Sequence, residues 1–329
     1  MEAIVLNKPY KTFSIGFVRA YLITMRPYLL FVSGITGIAG MSFIQDLSLT
    51  KTILILLASF LSYGFGQALT DCFQTDTDAI SSPYRPLTQG LISKTQVLIL
   101  STLGLMFCVG IFSYYNPLNL VLGFISGLGL ATYTYFKKKF WAGPFYNAWI
   151  VAILFVMAYL CGSSTLALLN NPKLVYSLFT VFFGYANFVL VGYFKDIDAD
   201  SKTGYNTLPV VFGRKTAAFI SNLFGVLTIL MTILLFQYQG FPKGFSTENI
   251  FIYFILLAGI LAMILCQILV HFIKTDSESS LAISLSVHSY ILLLASIAVL
   301  NKADWIIPMI AFYILFNLTM YLRPSKSQI

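Results

Sequence analysis

Charge is the scarcest property of this 329-residue chain: Asp, Glu, Lys and Arg together make up 10% of it, against about 25% in soluble domains. With 58% hydrophobic residues and a mean hydropathy of +0.84, the composition excludes an ordinary water-soluble enzyme and implies a bilayer as solvent. Histidine is nearly absent. His271 and His288 stand alone in apolar runs and are read as packing or hydrogen-bonding residues. The four cysteines, Cys72, Cys108, Cys161 and Cys266, form no CxxC pair. That spacing argues against a zinc site or a disulfide framework and favours small buried side chains. The first twenty-odd residues lack both a cleavable signal core and an Arg- and Ser-rich transit character, so insertion is expected to use the first spanning helix.

What is abundant is long apolar sequence. Ten runs are long enough to cross a hydrocarbon core as helices, roughly 22–44, 51–70, 96–115, 117–136, 145–163, 174–195, 216–237, 249–273, 280–300 and 304–321. The expectation is an all-α multi-pass integral membrane bundle, in one domain over 1–329. With the N-terminus inside, only Lys51, Lys173, Lys243 and Lys302 of the 20 Lys and Arg fall outside, and the other 16, Lys326 among them, fall on the cytoplasmic side. This topology accounts for most of the +8 net charge without a nucleic-acid partner. A plasma membrane, bacterial by this reading, is the expected location.

Six of the twelve acids lie in two places on that inner side: Asp71, Asp76 and Asp78 after the second run, and Asp196, Asp198 and Asp200 after the sixth. Carboxylates at a membrane boundary are costly unless paired or liganded. Gln67, Asp71, Gln74 and Asp78 fall at i, i+4, i+7 and i+11, a single helical stripe. Asp196 and Asp200 are i, i+4 neighbours. Hard oxygen ligands suit magnesium, which also takes phosphate oxygens. Two such clusters facing each other would clamp a diphosphate through metal ions. Arg85, the Lys137-Lys138-Lys139 run, Lys195, Lys202 and Arg214 supply cations for the charge of a leaving diphosphate. Lys139 is the member of the lysine run assigned to the substrate, although positive-inside anchoring alone accounts for such a run.

The stretch TDCFQTDTDAISSPYRPLTQGLIS at 70–93, together with FKDIDADSKTGYNTLPVVFGRKTA at 194–217, resembles the two acidic motifs of the UbiA superfamily of intramembrane prenyltransferases. The first is nearest the form of chlorophyll synthase-like members. RPYLLFVSG at 26–34 and the lysine run before AGPFYNAW match in position, so the resemblance spans about 20–300. It implies a nine-helix bundle around a central cavity, with the run at 304–321 as an additional C-terminal helix. It also implies Mg2+, an isoprenoid diphosphate substrate and a lipophilic acceptor. Asp78, Asp196, Asp200 and Arg85 would be catalytic. Asp71, Asp76, Asp78, Asp196, Asp198 and Asp200 would hold metal, and Arg85, Lys139, Lys195, Lys202, Arg214, Gln67 and Gln74 the diphosphate.

The first motif departs from the family pattern: the family's Asn falls on Thr70 and its first metal-binding Asp on Gln74. Asp71 or Asp76 could substitute, or Gln67 with Asp71 one turn earlier. The departure keeps a UbiA-type terpene cyclase open as the alternative to a transferase. A transporter coupled through its carboxylates, and an assembly protein with a dead site, are the remaining readings.

Overall fold

The computed structural model describes residues 8–163 and 170–323. Lys326 and the first seven residues, both used in the sequence reading, lie outside the described residues. The chain is helical throughout the described part: α1 (Ile15–Met25), α2 (Leu30–Met41), α3 (Leu49–Asp71), α4 (Thr75–Ser81), α5 (Lys94–Tyr115), α6 (Leu118–Lys139), α7 (Gly143–Leu160), α8 (Pro172–Gly192), α9 (Ile197–Lys202), α10 (Leu208–Gln239), α11 (Thr247–Val270), α12 (Ser280–Asn301) and α13 (Ile306–Tyr321). Side-chain oxygens at the entry points explain several starts. Ser48, Ser93, Asn171 and Ser246 each accept from a backbone N–H of the first turn, and Ser93 with Gln96 forms a reciprocal capping box.

Among the described residues nine helices are long and apolar enough to cross a membrane, and a bent pair makes a tenth. That pair corrects the first expected span. Instead of one helix over 22–44, α1 begins at Ile15 and ends at Met25, Arg26 adopts a left-handed φ of 53°, and a 3-10 turn over Pro27–Leu29 leads into α2 at a 42° bend. Pro27 cannot donate to a continuing helix, and the residue before a proline is pushed out of the helical region.

Three helices form the centre. The windows of α7, α8 and the span containing α12 are 61%, 67% and 78% buried, whereas the last span is 22% buried. Large side chains such as Phe124, Phe254 and Ile307 point outward from the peripheral helices, as expected of surfaces facing lipid rather than water. Close packing at the centre depends on small residues: a Cβ on Gly37 would lie 2.0 Å from Ser59 Oγ, between α2 and α3. Both histidines are hydrogen-bonded, His288 Nδ1 to the Tyr313 hydroxyl at 2.7 Å and His271 Nε2 to Asn222 at 2.8 Å. All four cysteines are buried and unpaired.

Candidate active site

α3 ends at Asp71, where the chain tightens: the N–H groups of Phe73 and Gln74 donate to the carbonyls of Thr70 and Asp71 at 3.0 and 3.2 Å, and α4 starts afresh at Thr75. The single helical stripe expected of Gln67, Asp71, Gln74 and Asp78 is therefore broken after Asp71. All four nevertheless line one central cavity of about 220 Å³. Asp71 is 3% exposed and both its oxygens are taken. Arg26 Nη2 donates to each at 3.0 Å, Gln67 Nε2 donates to Oδ1 at 2.7 Å, and Arg85 Nη1 lies 3.9 Å from Oδ1. Arg85 also pairs with Asp78 Oδ1 at 2.5 Å. Burial opposes the charge of Arg85, but Asp78 and Asp71 outweigh it and drive its pKa upward. Gln74 Nε2 reaches Thr134 Oγ1 at 3.4 Å.

The second cluster hangs from the end of α8. A 3-10 turn over Tyr193–Lys195 places Lys195 and Asp196 in the cavity wall. α9 follows, and Gly204, at φ 75°, makes the left-handed exit that a side chain would resist. Asp200 is fully buried, with Oδ1 3.2 Å from Lys137 Nζ. Burial pushes its carboxyl up to about 6, against the opposite pull of Lys137. The two motif-bearing short helices meet: the hydroxyls of Thr77 on α4 and Thr203 after α9 are 3.0 Å apart.

The remaining expected residues sit elsewhere. Asp76 faces outward, paired with Lys138 at 3.0 Å and accepting from the Tyr205 hydroxyl at 3.1 Å. Burial would raise its pKa, but Lys138, the Thr77 N–H and Tyr205 outweigh it and lower it. Asp198 and Lys202 are exposed. Arg214 is held by Asp276, which also accepts from the Asp198 backbone N–H. Lys139 is exposed, with its ammonium 5.9 Å from the Tyr135 ring. Lys137, two residues earlier, is the member of the run that turns inward, because it lies on the face of α6 shared by Tyr133 and Thr134.

Two kinds of residue in the cavity wall were missed by sequence reasoning, Arg26 and a group of tyrosines, Tyr63, Tyr133, Tyr185 and Tyr193; Lys137 was expected within the lysine run, but the substrate role was assigned to Lys139. Their one available signal was weak. Arg26 opens the RPYLLFVSG segment, but nothing in its spacing ties it to Asp71. Beyond the charged end, the wall turns apolar along Val109, Phe112, Ile150, Leu154 and Met157.

Among the described residues no three His, Cys, Asp or Glu side chains are gathered into a ready cation site. The fit to magnesium is uneven. Asp196 Oδ1 is buried with no hydrogen-bond partner, and Asp200 Oδ2 makes no well-formed hydrogen bond, although the nearby Thr207 hydroxyl favours the Asp200 carboxylate; a cation would relieve this cost. The first cluster offers no such oxygen on Asp71, and its Gln74 is neutral.

A polytopic bundle with an acid- and arginine-lined chamber at one end of an apolar cavity is the architecture of an intramembrane enzyme. The chain belongs to the UbiA prenyltransferase family, whose pattern matches residues 30–288. It is similar to digeranylgeranylglyceryl phosphate synthase of Pyrococcus abyssi (strain GE5 / Orsay), 28% identical over 233 residues that cover 66% of this chain and 77% of the relative. The enzyme of that name from Thermococcus kodakarensis is 28% identical over 221 residues, covering 66% and 77%. The fold of this chain is similar to that of a UbiA homolog from Aeropyrum pernix K1, with a TM-score of 0.67 at 18% identity over 82% of this chain and 96% of that one. A UbiA homolog from Archaeoglobus fulgidus, solved bound to DMAPP and Mg2+, has a TM-score of 0.61 at 16% identity, covering 84% and 99%. These named sources are archaeal, so the bacterial membrane expected from the sequence is not carried forward.

Proposed function

We propose that the chain ionises an isoprenoid diphosphate in the central cavity and transfers the prenyl group to a lipophilic acceptor. The observation that carries this reading is the placing of Arg26, Arg85, Lys137, Lys195 and Asp196 together at the polar end of an otherwise apolar and aromatic cavity. The basic residues bind the diphosphate oxygens, and their charge is worth most where water is excluded. Asp71, itself steadied by Gln67, holds Arg26, and Asp78 holds Arg85, so that neither guanidinium must be reoriented during the reaction. Asp196 and Asp200 would hold Mg2+, which neutralises the diphosphate when bound and makes it a better leaving group.

The allylic C–O bond breaks with both electrons going to the diphosphate oxygen. The carbocation is then captured by the acceptor's nucleophile, which gives up a proton. The apolar wall keeps water from that cation, and the tyrosine faces lower its energy. The charged end of the cavity faces the cytoplasm, as the distribution of Lys and Arg implies.

The test is incubation of detergent-purified protein with Mg2+ and prenyl diphosphates of increasing length, with and without lipid acceptors, followed by mass spectrometry. A glycerol-phosphate ether lipid belongs in that panel, because the relatives are named for digeranylgeranylglyceryl phosphate. Acceptor-dependent consumption of the diphosphate supports the proposal; a cyclic hydrocarbon formed without acceptor replaces it with the cyclase reading. Asp78→Ala and Asp200→Ala should each abolish turnover while the protein still inserts. Full activity in either would remove the assigned residue from the site.

A further inference from the structure

The two acidic clusters are not equivalent in what their oxygens are free to do. On the first, both oxygens of Asp71 accept from Arg26, Gln67 adds a third hydrogen bond, and Asp78 Oδ1 is closed by Arg85 at 2.5 Å. The side chain between them in the motif, Gln74, carries no charge and is turned to Thr134. A divalent ion entering there would have to displace a guanidinium from a buried carboxylate, and it would gain only an amide oxygen in return. The second cluster keeps more of its oxygens free. Asp200, 0% exposed, gives Oδ1 to Lys137 at 3.2 Å while its Oδ2 makes no well-formed hydrogen bond, and Asp196 lines the cavity with a buried, unpartnered Oδ1.

From this asymmetry we infer that the enzyme binds a single divalent cation, held by Asp196 with Asp200, and that Arg85 anchored on Asp78 supplies the positive charge on the first side in place of a second ion. The first motif is then a guanidinium mount rather than a metal site. Loss of Asp78 frees Arg85 from its place without removing a metal ligand. The inference rests on the diphosphate-ionising reading, but its measurement does not depend on turnover.

The experiment counts Mn2+ bound per chain by electron paramagnetic resonance, in detergent and in the presence of inorganic diphosphate. The expected count is one. Asp196→Asn should reduce it to near zero at concentrations that saturate the unmodified protein. Asp78→Asn should leave it at one while weakening diphosphate affinity about tenfold or more. Gln74→Asp, which adds a carboxylate to a folded site and so does not rely on a loss, should raise the count to two. A count of two or of zero in the unmodified protein, a count that falls in Asp78→Asn but not in Asp196→Asn, or no gain in Gln74→Asp would overturn the inference. Failure of the broader reading shows separately, as no conversion of any prenyl diphosphate whatever the count.

Discussion

Lys137 Nζ lies 3.2 Å from Asp200 Oδ1, and the same ammonium sits 5.0 Å and 5.1 Å from the ring centres of Tyr193 and Tyr205. One lysine thus joins α6 to the second acidic cluster from inside an aromatic box, where its charge is poorly screened and reaches the cavity. Lys137→Ala should lower kcat by about 10²–10³, the loss typical of removing one positioned electrostatic group. Lys139→Ala, on the exposed side of the same turn, should stay within about twofold. Steady-state kinetics of the two variants side by side checks this, and equal effects would contradict the facing of α6.

The buried Asp200 carboxyl titrates at about 6, above the ordinary value of 3.8. Its folded value is raised, so its contribution to stability is fully present below the ordinary value and is lost as pH rises through about 6. The metal-free protein should therefore gain thermal stability from this group as pH falls from 7 towards 5. Metal affinity should move the other way and weaken, because protons compete for the same oxygens. Melting curves and Mn2+ titrations across that window test both signs. Asp200→Asn should remove the stability slope that this group contributes.

Asp76 and Lys138 form an ion pair with each side chain nearly half exposed, a type worth about 0–1 kcal/mol. Asp76→Asn should cost little stability and keep activity within about threefold. A loss comparable to that of Asp78→Ala would restore Asp76 to the metal set that its place in the motif suggested.

Gly213 interrupts α10 at φ 80° and ψ 162°, a backbone conformation that is essentially restricted to glycine. Gly213→Ala should destabilise by about 1–3 kcal/mol, the reverse of what the same change does in a regular helix. Thermal unfolding in detergent measures it. The break turns the chain just before Arg214, which grips Asp276 at the head of the α12 span, so the variant should also loosen that tie.

The spanning helices were legible because hydropathy alone marks a 20-residue apolar run, and most predicted spans differ from the observed helices by only a few residues at each end. The first was not, since apolar content is blind to a residue that leaves the helical region while remaining buried among neighbours. The acidic clusters were visible as exceptions to the scarcity of charge. Which of their members face inward was not visible. That depends on the tightened turn after Asp71 and on the rotation of α6, which turns Lys137 in and Lys139 out, and both are set by tertiary packing. Arg26 illustrates the same limit. Its partner is 45 positions away in sequence, and no local pattern announces a contact at that separation.

The residue that breaks the first span is also the one that neutralises Asp71. A change in tilt of α1, of the kind a thicker or thinner bilayer imposes on a membrane helix, acts on the backbone of Arg26 and so on the electrostatic potential at the cavity's polar end. Under the proposed function the first helix would then act as a mechanical input to the site through Arg26. Activity should depend on the thickness of the surrounding lipid through Arg26, and not only through the fluidity of the solvent in which substrate and product diffuse.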